Sequence, residues 1–119
     1  MNVSKEIKRY IVHYLAGGKN VSSRDPRRAF INLLGEDGKS VGFLNFYRNP
    51  ESMPDKDRYD PTFGAQLYYS WQDFPQVIDL LRNEKPIYLR YFETSIAGDL
   101  LVGVEPEPVG EGEDDVLPR

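Results

Sequence analysis

The sequence predicts an α+β domain: a mostly antiparallel β-sheet of about six strands with one helix packed on one face, in the order ββββαββ, either open or curled into a half-barrel. Three observations lead there. Asp37-Gly38 separates two alternating apolar runs, as a hairpin requires. A segment after Trp71 repeats apolar residues at helical spacing. The other apolar segments are short and rich in Val, Ile, Tyr and Phe, which fit a pleated surface.

The chain has 119 residues, enough for one hydrophobic core. Its 39% hydrophobic content excludes a wholly disordered chain. Residues 1–105 are expected to form the single domain. From Pro106 to Arg119 the sequence is acidic and rich in Pro and Gly, too polar to offset its ordering entropy, so a disordered tail is expected. Charge is uneven along the chain: residues 1–30 carry seven basic side chains against two acidic ones, and residues 99–119 carry seven acidic against one basic. Such a tail suits a solubilising end or a competitor for the basic segment.

Each element follows from local pattern. Glu6 to Ala16 reads as a strand that is apolar on both faces, which places it centrally in the sheet. Gly17 to Arg28 is a polar connection carrying Lys19, Arg24, Arg27 and Arg28. Residues 29–47 form the hairpin. With Asp37-Gly38 as a two-residue type I′ loop, Leu34 meets Val41, Asn32 meets Phe43 and Ile31 meets Leu44. Ala29, Ile31, Leu33, Gly42, Leu44 and Phe46 then share a wholly apolar face, the core side. Phe30, Asn32, Leu34, Val41, Phe43, Asn45 and Tyr47 share the other, where rings and amides alternate.

Residues 48–62 make a long loop with three prolines, mobile or functional. Gly64 to Tyr69 resumes β character. Asp73 is placed to cap a helix that accepts Pro75 in its first turn, with Gln76 at the capping-box position. Phe74, Val77, Ile78 and Leu81 form its apolar stripe, and Pro86 requires it to end. Ile87 to Phe92 and Leu100 to Val104 are the last two strands. In strand order alone, four strands and a helix resemble the repeat of PUR-type single-strand-binding proteins; the last two strands depart from it, and no residue is carried over. One helix covers only part of such a sheet, so the loop, curling of the sheet or a second subunit must cover the rest.

Composition and motif spacing exclude much chemistry. The absence of cysteine removes disulfides, thiolate metal sites and thiol nucleophiles. His13 is the only imidazole and has no second ligand or oriented partner in the pattern. Asp55, Asp57 and Asp60 depart from the EF-hand, since position six is Asp60 and position twelve Gln66. Gly17, Gly18 and Lys19 lack the spacing of a phosphate-binding loop. Without an export signal, the Asn2 and Asn20 sequons are not expected to be glycosylated. No catalytic residue, metal or cofactor is assigned. A soluble, cytoplasmic protein with no membrane partner is expected, because no apolar run approaches the roughly 18 residues of a span.

What remains is a surface. Phe30, Asn32, Phe43, Asn45 and Tyr47, rimmed by Arg24, Arg27 and Arg28, combine rings, amides and cations. Protein interfaces use that combination, so a non-catalytic binding protein that associates with itself as a homodimer or with a protein partner is expected. Single-stranded nucleic-acid binders use it too, which makes basic loop 19–28 with the same rings the alternative. A small enzyme or ligand-binding protein with an unrecognised pocket is the third reading.

Overall fold

Alternation of apolar residues builds the hairpin first. In the computed structural model, which describes residues 2–16, 25–103 and 109, strands Arg27–Leu34 (β3) and Ser40–Tyr47 (β4) pair antiparallel with Ile31 opposite Leu44 and Asn32 opposite Phe43. The turn differs from the expected one. Leu34 pairs with Ser40, not Val41. Gly38 N–H donates to Gly35 O at 3.0 Å, and Gly35 N–H donates to Lys39 O at 2.9 Å. Within this turn only Gly38 adopts a positive φ, 79°, while the Asp37 carboxylate accepts from Lys39 N–H at 3.0 Å. A type I′ turn would have needed left-handed backbone at Asp37 as well. The longer loop leaves that conformation to glycine alone.

The remaining strands are Asn2–Glu6 (β1), Arg9–Tyr14 (β2), Arg58–Asp60 (β5), Gly64–Ser70 (β6), Ile87–Phe92 (β7) and Ala97–Val102 (β8), with one helix, Phe74–Asn83 (α1). They form two sheets: β2-β3-β4-β6-β5 and β1-β7-β8. Three expectations are corrected here. Glu6 to Ala16 is not one central strand. Ile7 N–H donates to Ile87 O and Lys8 N–H to Leu34 O, so consecutive residues pass from one sheet to the other. β2 is consequently an edge strand with Ile11 48% and Tyr14 59% exposed. Second, β6 pairs with β4 in parallel, from Gly42 opposite Ala65 to Tyr47 opposite Ser70. Residues 48–62, expected as a loop, make this possible: a parallel pair needs a long crossover, and the segment supplies it, along with a 3-10 turn at Pro50–Ser52 and edge strand β5. Third, among the described residues eight strands in two sheets replace the single sheet of six. Among the described residues the architecture is α+β with a single α-helix, as expected, and without a closed barrel.

The expected core face is buried in full. Ala29, Ile31, Leu33, Leu44 and Phe46 have no exposed surface, and Ala65 and Leu67 of β6 extend the layer. Two elements cover it. Val77 and Leu81 of α1 enter the core, while Phe74 stands edge-on to Phe46 at 5.0 Å between ring centroids. Asp73 makes no capping bond with its side chain; Ser70 Oγ instead accepts from Gln72 N–H at the 3-10 turn that leads into the helix. The smaller sheet supplies Ile87, Leu89 and Tyr91. It approaches so closely that a Cβ on Gly42 would lie 2.4 Å from Leu89 Cδ2. Asp57 joins the sheets: its Oδ1 accepts from Tyr68 N–H at 3.1 Å and its Oδ2 from Gly98 N–H at 3.0 Å. The apolar surface that one helix leaves uncovered is therefore covered by the chain's own second sheet. The expected tail 106–119, apart from Val109, and loop residues 17–24 lie outside the described residues.

Candidate functional site

Strand pairing fixes which side chains share the opposite face of the five-stranded sheet. Residues directly opposite one another point the same way, so Ile11 and His13 join Asn32 and Phe30, which join Phe43 and Asn45, which join Gln66 and Tyr68. The helix and the smaller sheet pack on the other face, against Ala29, Ile31, Leu33, Leu44 and Phe46. His13 stacks on Phe30 at 4.4 Å between centroids, Phe30 meets Phe43 at 6.1 Å, and Phe43 meets the edge of Phe63 at 6.1 Å. Tyr47 and Tyr68 form a second edge-on pair at 6.0 Å. The result is a row of rings crossing three strands and ending on Phe63, which is 53% exposed.

The polar groups on this face are bonded to one another. Arg27 donates to Asp25 through Nε (3.0 Å) and Nη2 (2.8 Å), donates to Asn45 Oδ1 through Nη1 (2.9 Å), and lies 4.1 Å from the Phe30 centroid. Those hydrogen bonds hold the Asp25 carboxyl below the usual carboxylate range. Asn45 Nδ2 donates to Gln66 Oε1 at 3.2 Å and to Leu67 O at 3.3 Å. Asn45 is 2% exposed. Asn32 Oδ1 accepts from Ser40 Oγ at 2.8 Å. Burial pushes the Tyr47 phenol up, and Arg58 Nε donates to Tyr68 Oη at 3.0 Å.

The structure thus brings together Arg27, Phe30, Asn32, Phe43, Asn45 and Tyr47 from the expected set. Arg28 does not join them. A bulge at the start of β3 turns it toward Tyr14, where its guanidinium lies 4.6 Å from the ring and donates to Leu15 O at 3.1 Å. Arg24 lies outside the described residues. Sequence reasoning missed His13, Phe63, Tyr68 and Arg58. His13 faces Phe30 only because β2 pairs with β3, and Phe63 enters from a loop with no periodicity of its own.

Chemically the face can stack and exclude water. The Asp25 carboxylate at the rim is neutralised by Arg27. Asp60, at the end of β5, accepts from Thr62 and Phe63 N–H groups and lies 3.7 Å from Arg58 Nη1, so it serves the turn and the strand edge. Among the described residues no three His, Asp or Glu side chains gather as metal ligands, and no helix is long and apolar enough to cross a membrane. A cleft of about 580 Å³ lies elsewhere, between the hairpin turn and β1, lined by Lys5, Glu6, Lys8, Glu36, Asp37 and Lys39. Its charges are of both signs, and Lys8 pairs with Glu6 at 3.2 Å. No family model, curated protein or solved structure matches the chain.

Proposed function

We propose that the protein is a non-catalytic binding domain that receives a protein partner on the open aromatic face of its five-stranded sheet. The row His13, Phe30, Phe43 and Phe63 carries the proposal, because it is a fixed, half-exposed aromatic surface. Large rigid rings of this kind anchor protein interfaces at low entropic cost. The engagement of the polar groups favours a protein over single-stranded nucleic acid. A nucleic-acid reader needs amides for base edges and cations for phosphates. Here Asn45 and Arg27 are bonded within the domain, and Arg28 and Arg48 donate to backbone carbonyls.

The test uses Phe43→Ala, with Phe46→Ala as a core control. Phe43 is partly buried, so its loss should lower stability by about 2 kcal/mol, against roughly 3 to 5 kcal/mol for the fully buried Phe46. Partner capture should fall with Phe43→Ala while the circular dichroism spectrum stays unchanged. A mixed-sequence single-stranded oligonucleotide should bind weakly, without response to Phe43→Ala. Oligonucleotide binding that weakens steeply with salt and is lost in Phe43→Ala would replace this reading by the nucleic-acid one. A core-sized loss of stability would mean that the face is not a surface at all.

A further inference from the structure

The free edge of the same sheet carries a second surface, adjoining the aromatic face at Ile11 and His13. β2 lies at one end of the order β2-β3-β4-β6-β5. Its register places Leu15 beyond Tyr14 and opposite Arg28, and Leu15 N–H donates to Arg28 O at 3.0 Å. Antiparallel bonding alternates, so Ile11 and His13 exchange bonds with β3, while Tyr10, Val12 and Tyr14 turn their N–H and C=O groups outward. Among the described residues nothing bonds these groups.

Sheet edges in monomers are blunted by charge, proline, bulges or short length. The opposite edge follows that rule: β5 has three residues, two of them Arg58 and Asp60, and Pro61 follows. β2 does not. From Tyr10 to Tyr14 it has no charged residue and no proline, and Ile11, Val12 and Tyr14 are among the exposed large apolar side chains. Tyr14 is already ordered, stacked on Phe74 at 5.5 Å and covered by Arg28. Little side-chain freedom remains to be lost on association.

The strand is complementary to itself. A two-fold axis through Val12, normal to the sheet, sets Val12 against the partner's Val12 and Tyr10 against the partner's Tyr14. All three outward-facing residues then exchange both backbone bonds. Ile11 falls beside the partner's His13 on the aromatic side. Arg9 falls opposite the partner's Leu15, and Lys8 opposite the partner's Ala16, so no like charges meet. Shifting the axis to Ile11 would face Tyr14 with the partner's Lys8, whose N–H is already bonded to Leu34 O. Shifting it to His13 would face Tyr10 with the partner's Ala16, whose carbonyl already accepts from Arg48 at 3.3 Å, and would oppose two imidazoles. Only the Val12 axis uses every free group.

We propose that two copies of the chain pair β2 with β2 antiparallel about Val12, joining two five-stranded sheets into one of ten and two aromatic faces into one. Light scattering and sedimentation on the full chain test this. The wild type should have twice the 13.7 kDa of one chain. Val12→Lys places two like charges at the axis, and Val12→Pro removes a donor that points away from β3, so both should be monomers with an unchanged circular dichroism spectrum. Because the chain has no cysteine, Val12→Cys gives a single thiol that should cross-link two copies on oxidation. Phe43→Ala, which tests the aromatic face, should leave the dimer intact. A wild type that stays monomeric when concentrated, a dimer that survives both Val12→Lys and Val12→Pro, or an edge that takes up an extended peptide in place of a second copy would each overturn the proposal.

Discussion

Replacing Asn45 by alanine separates an amide that holds the sheet from one that awaits a ligand. The side chain is 2% exposed and makes three hydrogen bonds, to Arg27 Nη1 at 2.9 Å, Gln66 Oε1 at 3.2 Å and Leu67 O at 3.3 Å. Each contributes about 1 kcal/mol net, and a buried partner left without a bond adds a desolvation cost of about 1 to 3 kcal/mol. Two of the partners, on Gln66 and Leu67, belong to buried residues of β6, so most of that cost applies to them. The third, the Arg27 guanidinium, is part of a side chain 26% exposed and keeps Asp25. Asn45→Ala should therefore lose about 2 to 4 kcal/mol, a fall in Tm on the order of 10 °C for a domain of this size. Urea unfolding followed through the fluorescence of the single tryptophan, Trp71, measures it. The m-value should not change, because the fold and its buried area are retained. A loss below about 0.5 kcal/mol would refute the reasoning, since it would mean that the three bonds are made as well by water. Asn45 would then return to the set of groups available to a ligand.

Two further outcomes follow from packing and burial. In Gly42→Ala the new Cβ meets Leu89 Cδ2 at 2.4 Å and Ala65 O at 2.6 Å; the leucine can rotate but the carbonyl sits in a ladder, so the expected loss is about 2 to 3 kcal/mol. Gly38→Ala has open space and a φ of 79°, so strain alone should cost about 1 kcal/mol, and equal melting temperatures for the two variants would refute the close approach of the sheets. Burial pushes the Tyr69 phenol up to about 12. The unfolded chain releases this proton near the ordinary tyrosine value of about 10, so the stabilisation of the neutral phenol is complete below that pH and is lost as pH rises toward about 12, a fall on the order of 3 kcal/mol. Tyr69→Phe should flatten that part of the pH–stability curve, and parallel curves for variant and wild type would show that burial does not govern this group.

The hairpin, the helix and the division of β3 and β4 into two faces were legible because they rest on local pattern. Period-two alternation assigns Ile31 and Leu44 to one side whatever lies beyond them, and the spacing of Phe74, Val77 and Leu81 gives a helix in any context. The candidate face was legible in the same way for Phe30, Asn32, Phe43, Asn45 and Tyr47. Its remaining members were not. His13 and Tyr68 reach it through pairing between strands distant in sequence, and Phe63 through the path of a loop. Arg28 departed from it because one bulged residue reverses the side to which the next side chain points.

What the sequence by itself determined is therefore the hairpin, the helix and the apolar side of each, since these depend on interactions within a few residues; strands β1 and β5 were outside it. Tertiary structure alone decided that β6 runs parallel to β4, that residues before and after Ile7 enter different sheets, and that a second sheet completes the core. Those outcomes depend on which apolar faces meet across the chain, a choice that local periodicity leaves open. The same holds for the polar groups. The sequence supplied Arg27 and Asn45 as donors and acceptors, but only the folded chain decided that Asp25, Gln66 and Leu67 would take them, because a buried amide must find its partners wherever the neighbouring strands place them.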